Sequence, residues 1–174
     1  VLIAGGSALS NALGTDPGKP PTSALRTTAP AGYSVKVTDE IKDCAGHARG
    51  LAKTTFEHAN CSKATRLLAT GTVDGRPVLY VAARIQMASA KAAATVKQVL
   101  DGSGTGNLND LLREGKTFPG APGKMPTSGY ASVQSGRVVA VAEAGYVDGG
   151  RSSNSDPALR AAAANVAQTL GAPG

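Results

Sequence analysis

The strongest constraint on this chain is a motif that occurs twice. "ATRLLATGTVDGRPVLYVAARIQM" sets two apolar runs around Asp74-Gly75, and "MASAKAAATVKQVLDG" follows. "GYASVQSGRVVAVAEAGYV" sets two more around Ser135-Gly136, and "SDPALRAAAANVAQTLG" follows. Asp-Gly between strand-like runs predicts a type I′ hairpin, because both central positions need positive φ. Pro77, just past that turn, is tolerable at a strand start or edge. Ser89 is the N-cap of the first following helix and Gly102 its stop. Asp156 caps the second, with Pro157 at its first position and Gly171 at its end. Leu159, Ala162, Ala163, Val166 and Leu170 form one apolar stripe there. Two copies are too few for a solenoid. With a short strand "YSVKVT" from Tyr33, they predict an α+β two-layer sandwich. Its antiparallel sheet has four to five strands, and the Ala-rich helices cover one face.

The remaining segments are weaker signals. Thr38 followed by Asp39 and Glu40 has the chemistry of a helix start, with acids at the positive helix end. The helix is expected to run on through "LAKTTFEHA", with Gly50 as a break. Between the two units lies the Gly102–Gly129 connection, with a short helical piece over Leu108–Glu114 and then a Gly/Pro-rich loop. Its "GSGTG" invites a phosphate-cradle reading. It follows a helix rather than a strand and lacks the Lys-Ser/Thr of a P-loop, so a flexible connection is the better reading. Long loops often carry function, which makes Phe118, Lys124 and Met125 a candidate contact surface.

Both cysteines and both histidines fall in "DCAGHARGLAKTTFEHANC", as Cys44-x-x-His47 and His58-x-x-Cys61. Two thiolates and two imidazoles can make a tetrahedral zinc shell. On one unbroken helix, however, Cys44 and Cys61 would stand ~25 Å apart, too far to share a metal or a bond. Three readings remain open: a disulfide, two separate thiols, or a metal site. The disulfide is favoured in an exported chain, and it requires the chain to turn near Arg49-Gly50.

No catalytic constellation emerges, so the chain reads as non-enzymatic and no cofactor is expected. A cysteine nucleophile would need a reduced thiol, and no G-x-S-x-G occurs. Glu143, inside "VVAVAEAGYV", is either on the solvent face of a sheet or an acid in a pocket. With His47 and His58 it is a candidate for the rim of a pocket between sheet and helices. Tyr80, Tyr130 and Tyr146 are packing residues with wet hydroxyls.

The net charge of +6 is spread over scattered lysines and arginines, Arg66 and Arg76 among them. There is no basic run with interleaved aromatics, which disfavours nucleic acid. Residues 1–14, "VLIAGGSALSNALG", read as the end of a membrane anchor or signal segment. Residues 15–32 hold four of the ten prolines and read as a linker. Residues 33–174 then form the extracytoplasmic domain.

The blocks "DCAGHARG", "HANCSKATRLLATGTVDGRPVLYVAARIQMASAKAAA" and "GTGNLNDLLREG" resemble exported and single-pass membrane proteins of high-GC actinobacteria, streptomycetes above all. So does "PGAPGKMPTSGYASVQSGRVVAVAEAGYVDG". The resemblance covers roughly Val35 to Leu170. It implies one membrane span, a linker and one small exported domain, and it brings no activity with it. The expectation is a membrane-tethered binding domain for a protein partner or an envelope polymer. The alternatives are a small hydrolase or ligand-binding protein with a pocket between sheet and helices, or a structural subunit of a membrane assembly. Nothing in the residues fixes an oligomeric state.

Overall fold

The computed structural model describes residues 32–173. The anchor reading and nearly all of the linker reading fall on residues 1–31, outside the described part. The elements are β1 (Tyr33–Ile41), α1 (Gly50–His58), β2 (Cys61–Val73), β3 (Arg76–Met87), α2 (Ala90–Asp101), β4 (Ser128–Ser135), β5 (Val138–Tyr146) and α3 (Pro157–Gly171). They make an α+β domain with one antiparallel five-stranded sheet, ordered β1-β2-β3-β5-β4. Helices lie upon it, as expected. No helix among the described residues is long and apolar enough to cross a membrane.

Both repeated units form as their local chemistry requires. Asp74 and Gly75 take φ of 51° and 75°, the two positive values a type I′ turn needs. In the second hairpin Gly136 (φ 55°) is the first central residue, so the turn pair is Gly136-Arg137, one residue later than the sequence suggests. The Ser89 side chain accepts from the Ala92 amide, and that of Asp156 accepts from Ala158 and Leu159. Leu159, Ala163, Val166 and Leu170 are buried on α3, with Ala162 packed beside them.

The helices divide between the two faces instead of sharing one. Along β3, Val78, Tyr80 and Ala82 face α3, whereas Ala83, Ile85 and Met87 face α1 and α2. Ala140, Ala142 and Ala144 of β5 likewise face α3, and Val139 and Val141 the other side. The cause is legible in the strands. "VLYVAARIQM" and "VVAVAEAGY" are apolar at most positions of both parities, broken only by Arg84, Gln86 and Glu143, so both faces of the central strands need cover. Beside α2, the connection also covers its face, through Leu111 and Leu112 packed on Leu68, Leu79 and Val81.

Two expected helices are corrected. No helix starts at Thr38; β1 continues through Asp39 and Glu40 to Ile41, with alternating exposure. The acidic pair there serves cross-strand and loop partners rather than a helix end. The first helix starts at Gly50, so the expected break is its beginning. Leu108–Glu114 is also not a helix but a set of turns. The Leu111 carbonyl accepts from both Glu114 and Lys116, and Gly115 takes φ 73°, which closes the segment after one turn.

Candidate functional site

Arg66 is the organising residue. Ala64, Arg66 and Leu68 alternate on β2 toward the face that α1, α2 and the connection cover. Arg66 is therefore carried inside, where only 1% of it is exposed. Its Nη2 pairs with Asp39 of β1 and, at 2.8 Å, with Glu114. Its Nη1 donates to the Asn109 carbonyl at 2.9 Å. Asp39 also accepts from Lys116 at 2.7 Å, and Glu114 Oε1 faces His47 Nδ1 at 2.8 Å. Burial by itself would raise the Glu114 carboxyl. The hydrogen bonds from Arg66 and His47 outweigh it and bring the pKa down to about 2. Asp39 is lowered by Lys116 first and Arg66 next. Desolvation opposes the Arg66 charge, but its two carboxylates win and raise its pKa. Five side chains thus fasten β1, β2, the His47 segment and the connection to one another.

Above this network lies a cleft. Its floor is Val81, Ala83 and Val141, its sides Arg66, Tyr130 and Glu143, and its roof Arg49 with the Asn107–Leu111 segment. Register explains the lining. Arg66 pairs with Ala83 and Ala83 with Val141, while Val81 pairs with Glu143 and Glu143 with Tyr130. The small Ala83 leaves room between longer side chains. The free volume is about 40 Å³, room for roughly three water-sized groups. Glu143 Oε2 accepts from Ser128 at 2.7 Å. The Tyr130 hydroxyl donates to Asp101 at 3.1 Å, and its pKa is raised, first by burial and then by that carboxylate.

Two donors at this cleft are incompletely engaged. Arg49 donates to the Asn109 side-chain oxygen at 3.1 Å and takes part in no ion pair among the described residues. Burial and neighbouring Arg113 push its guanidinium below its ordinary value, against the pull of Asp110 and Glu143. Arg66 Nε is a buried polar atom without a hydrogen-bond partner. An unpaired buried N–H costs on the order of 1–3 kcal/mol, so an acceptor reaching it is favoured.

The roof is held by backbone. Arg49 N–H donates to Asn107 at 3.1 Å, Asn109 N–H to His47 at 2.7 Å, and Ala52 N–H to Thr105 at 3.1 Å. "GSGTG" is thus neither a phosphate cradle nor a free connection. Its Thr105 carbonyl satisfies a first-turn amide of α1. Gly106 takes φ 85°, and a Cβ there would collide with the Arg49 carbonyl oxygen. Only glycine allows the two chains to run this close.

The candidates from the sequence separate clearly. Cys44 and Cys61 are joined in a disulfide with Cα atoms 6.1 Å apart, and the chain turns between them as that bond requires. The separate-thiol and zinc readings fall, since each sulfur is bonded to the other. Glu143 lines the cleft. His47 sits beside it in the Arg66 network. His58 is on the far end of α1, where its Nδ1 lies 2.7 Å from the Thr54 carbonyl, and it joins neither. Phe118 and Met125 pack against the Leu68–Leu111 core, which leaves Lys124 as the exposed member of the contact trio. Arg49 and Arg66 carry no distinguishing signal in the sequence: β2 is apolar on both faces around Arg66, at Ala64 and Leu68 and at Leu67 and Ala69, so only strand pairing shows it to be an inward cation. No family model, curated protein or solved structure matches the chain.

Proposed function

We propose that this chain is a non-enzymatic binding domain that works outside the cytoplasm, tethered to the membrane through its N-terminal segment. Its target is a protein partner or a component of the cell envelope. The observation that supports this most is the Cys44–Cys61 disulfide. Cys44 is only 2% exposed, so the bond sits within the core that α1 and α2 share with the sheet. A structural bond of this kind belongs to an oxidising compartment. In intact cells that make the protein, external protease should cleave the domain. Its two cysteines should resist alkylation until a reductant is added. A domain shielded from external protease, with both thiols reduced, would sink this reading.

The cleft favours a second reading alongside it, a domain that binds a small ligand between sheet and covering layer. Glu143 does lie in a concavity at that place, together with two arginines. Sites of this kind pair a shaped recess with a few convergent polar groups. Both readings describe recognition, and neither assigns a bond-breaking step.

A further inference from the structure

We propose that the cleft over Ala83 binds a small zwitterion, with its carboxylate on Arg49 and its ammonium on Glu143. The inference rests on the ligand-binding reading and deepens it. Four charged side chains line the recess: Arg49, Arg66, Asp110 and Glu143. Arg66 is neutralised by Asp39 and Glu114, which leaves Arg49 facing Asp110 and Glu143, so a simple anion is held by the arginine and opposed by the carboxylates, and a simple cation the reverse. A molecule carrying both signs gains from both.

The individual groups agree with this. Arg66 spends its charge on Asp39 and Glu114, so it offers the cleft one neutralised Nε–H as a hydrogen-bond donor. Arg49 is the cation whose charge is unspent, and a planar guanidinium suits a carboxylate. Glu143 uses Oε2 for Ser128, which leaves Oε1 as an acceptor at the same recess. The roof adds Asn107 and Asn109, fixed by the backbone bonds to Arg49 and His47. About 40 Å³ accepts a carboxylate and its adjoining carbon, with the rest of the ligand at the mouth. Bulky ligands are excluded from the floor. Glycine is the smallest probe of this class, and a ligand of its size is expected to bind only in the millimolar range.

The test is an NMR titration of the isotope-labelled full chain with glycine, acetate and methylammonium. Glycine should shift the amides of Asn107 to Leu111 and saturate. Acetate and methylammonium, each carrying half of the ligand's chemistry, should bind at least roughly tenfold more weakly. Arg49→Gln should weaken glycine by about tenfold or more, and Arg49→Lys should retain part of the affinity. Arg49 is on the exposed rim, so these variants should keep the parent's melting curve, and Glu143→Gln is then a second arm. The proposal is overturned if glycine leaves the roof amides unmoved, if acetate binds as well as glycine, or if Arg49→Gln binds unchanged. Those outcomes would leave the exported-domain reading intact, because protease access and thiol reactivity test it separately. Conversion of glycine during the titration would overturn binding without chemistry.

Discussion

Replacing Glu114 by Gln should remove one specific portion of the domain's pH-dependent stability. The carboxyl has a pKa of about 2 in the folded chain against an ordinary 4.5. The folded state therefore binds fewer protons than the unfolded state between those values. The stabilisation is complete above pH 4.5 and is lost as pH falls toward 2. That lowering of the pKa corresponds to about 3 kcal/mol, or roughly 2 once screening by the solvent at its partly exposed oxygens is allowed for. Glu114→Gln should thus lower unfolding free energy near neutrality by about 2 kcal/mol. Its deficit relative to the parent should shrink to near zero by pH 2. Urea unfolding followed by far-UV circular dichroism, at several pH values on both proteins, measures this difference. The lowered carboxyl of Asp148, paired with Arg76 away from this network, titrates in both proteins and cancels, whereas Asp39 shares Arg66 with Glu114 and pairs more strongly with it in the variant, so the comparison reads the net effect on the shared network. A deficit that stays constant from pH 7 to pH 2 would show that Glu114 acts through packing alone, and the charge argument would be wrong.

Two further perturbations address the frame of the site. Cys44→Ala with Cys61→Ala opens a loop whose ends are 17 residues apart, which the loop-entropy model values at about 3 kcal/mol. Thermal melts should show a fall of roughly 10 °C, and a loss of only a degree or two would refute the loop-closure account. Gly106→Ala and Gly120→Ala both place a side chain at positive φ, at 85° and 83°, but only Gly106 faces another backbone. Denaturant unfolding should show about 1 kcal/mol lost at Gly120 and at least ~2 kcal/mol at Gly106. Equal losses would mean that the chain pair at Arg49 can separate without cost.

The units legible in the sequence are those whose signals are local. Asp74-Gly75, Ser89 and Asp156 each act on amides or dihedrals within a few residues, so reading them needs no knowledge of the fold. The errors share the opposite property. Thr38-Asp39-Glu40 carries helix-start chemistry, but Asp39 is committed to Arg66 and Lys116, 27 and 77 residues away. A distant ion pair has no local signature. The division of helices between faces was available in principle. Strands apolar at nearly every position, as β3 and β5 are, need cover on both sides, and Glu143 marks the interruption in one of them. That interruption and Arg66 are charges that enter an apolar register on the face of the cleft, whereas Arg84 of β3 points to the other face and donates to the Leu170 carbonyl. Glu143 could be singled out alone, because a carboxylate amid alternation is conspicuous. Arg66 could not be separated from scattered surface cations until β2 was paired. The site is therefore a product of register: two charges that sequence holds 77 positions apart line one recess because the small Ala83 lies beside them.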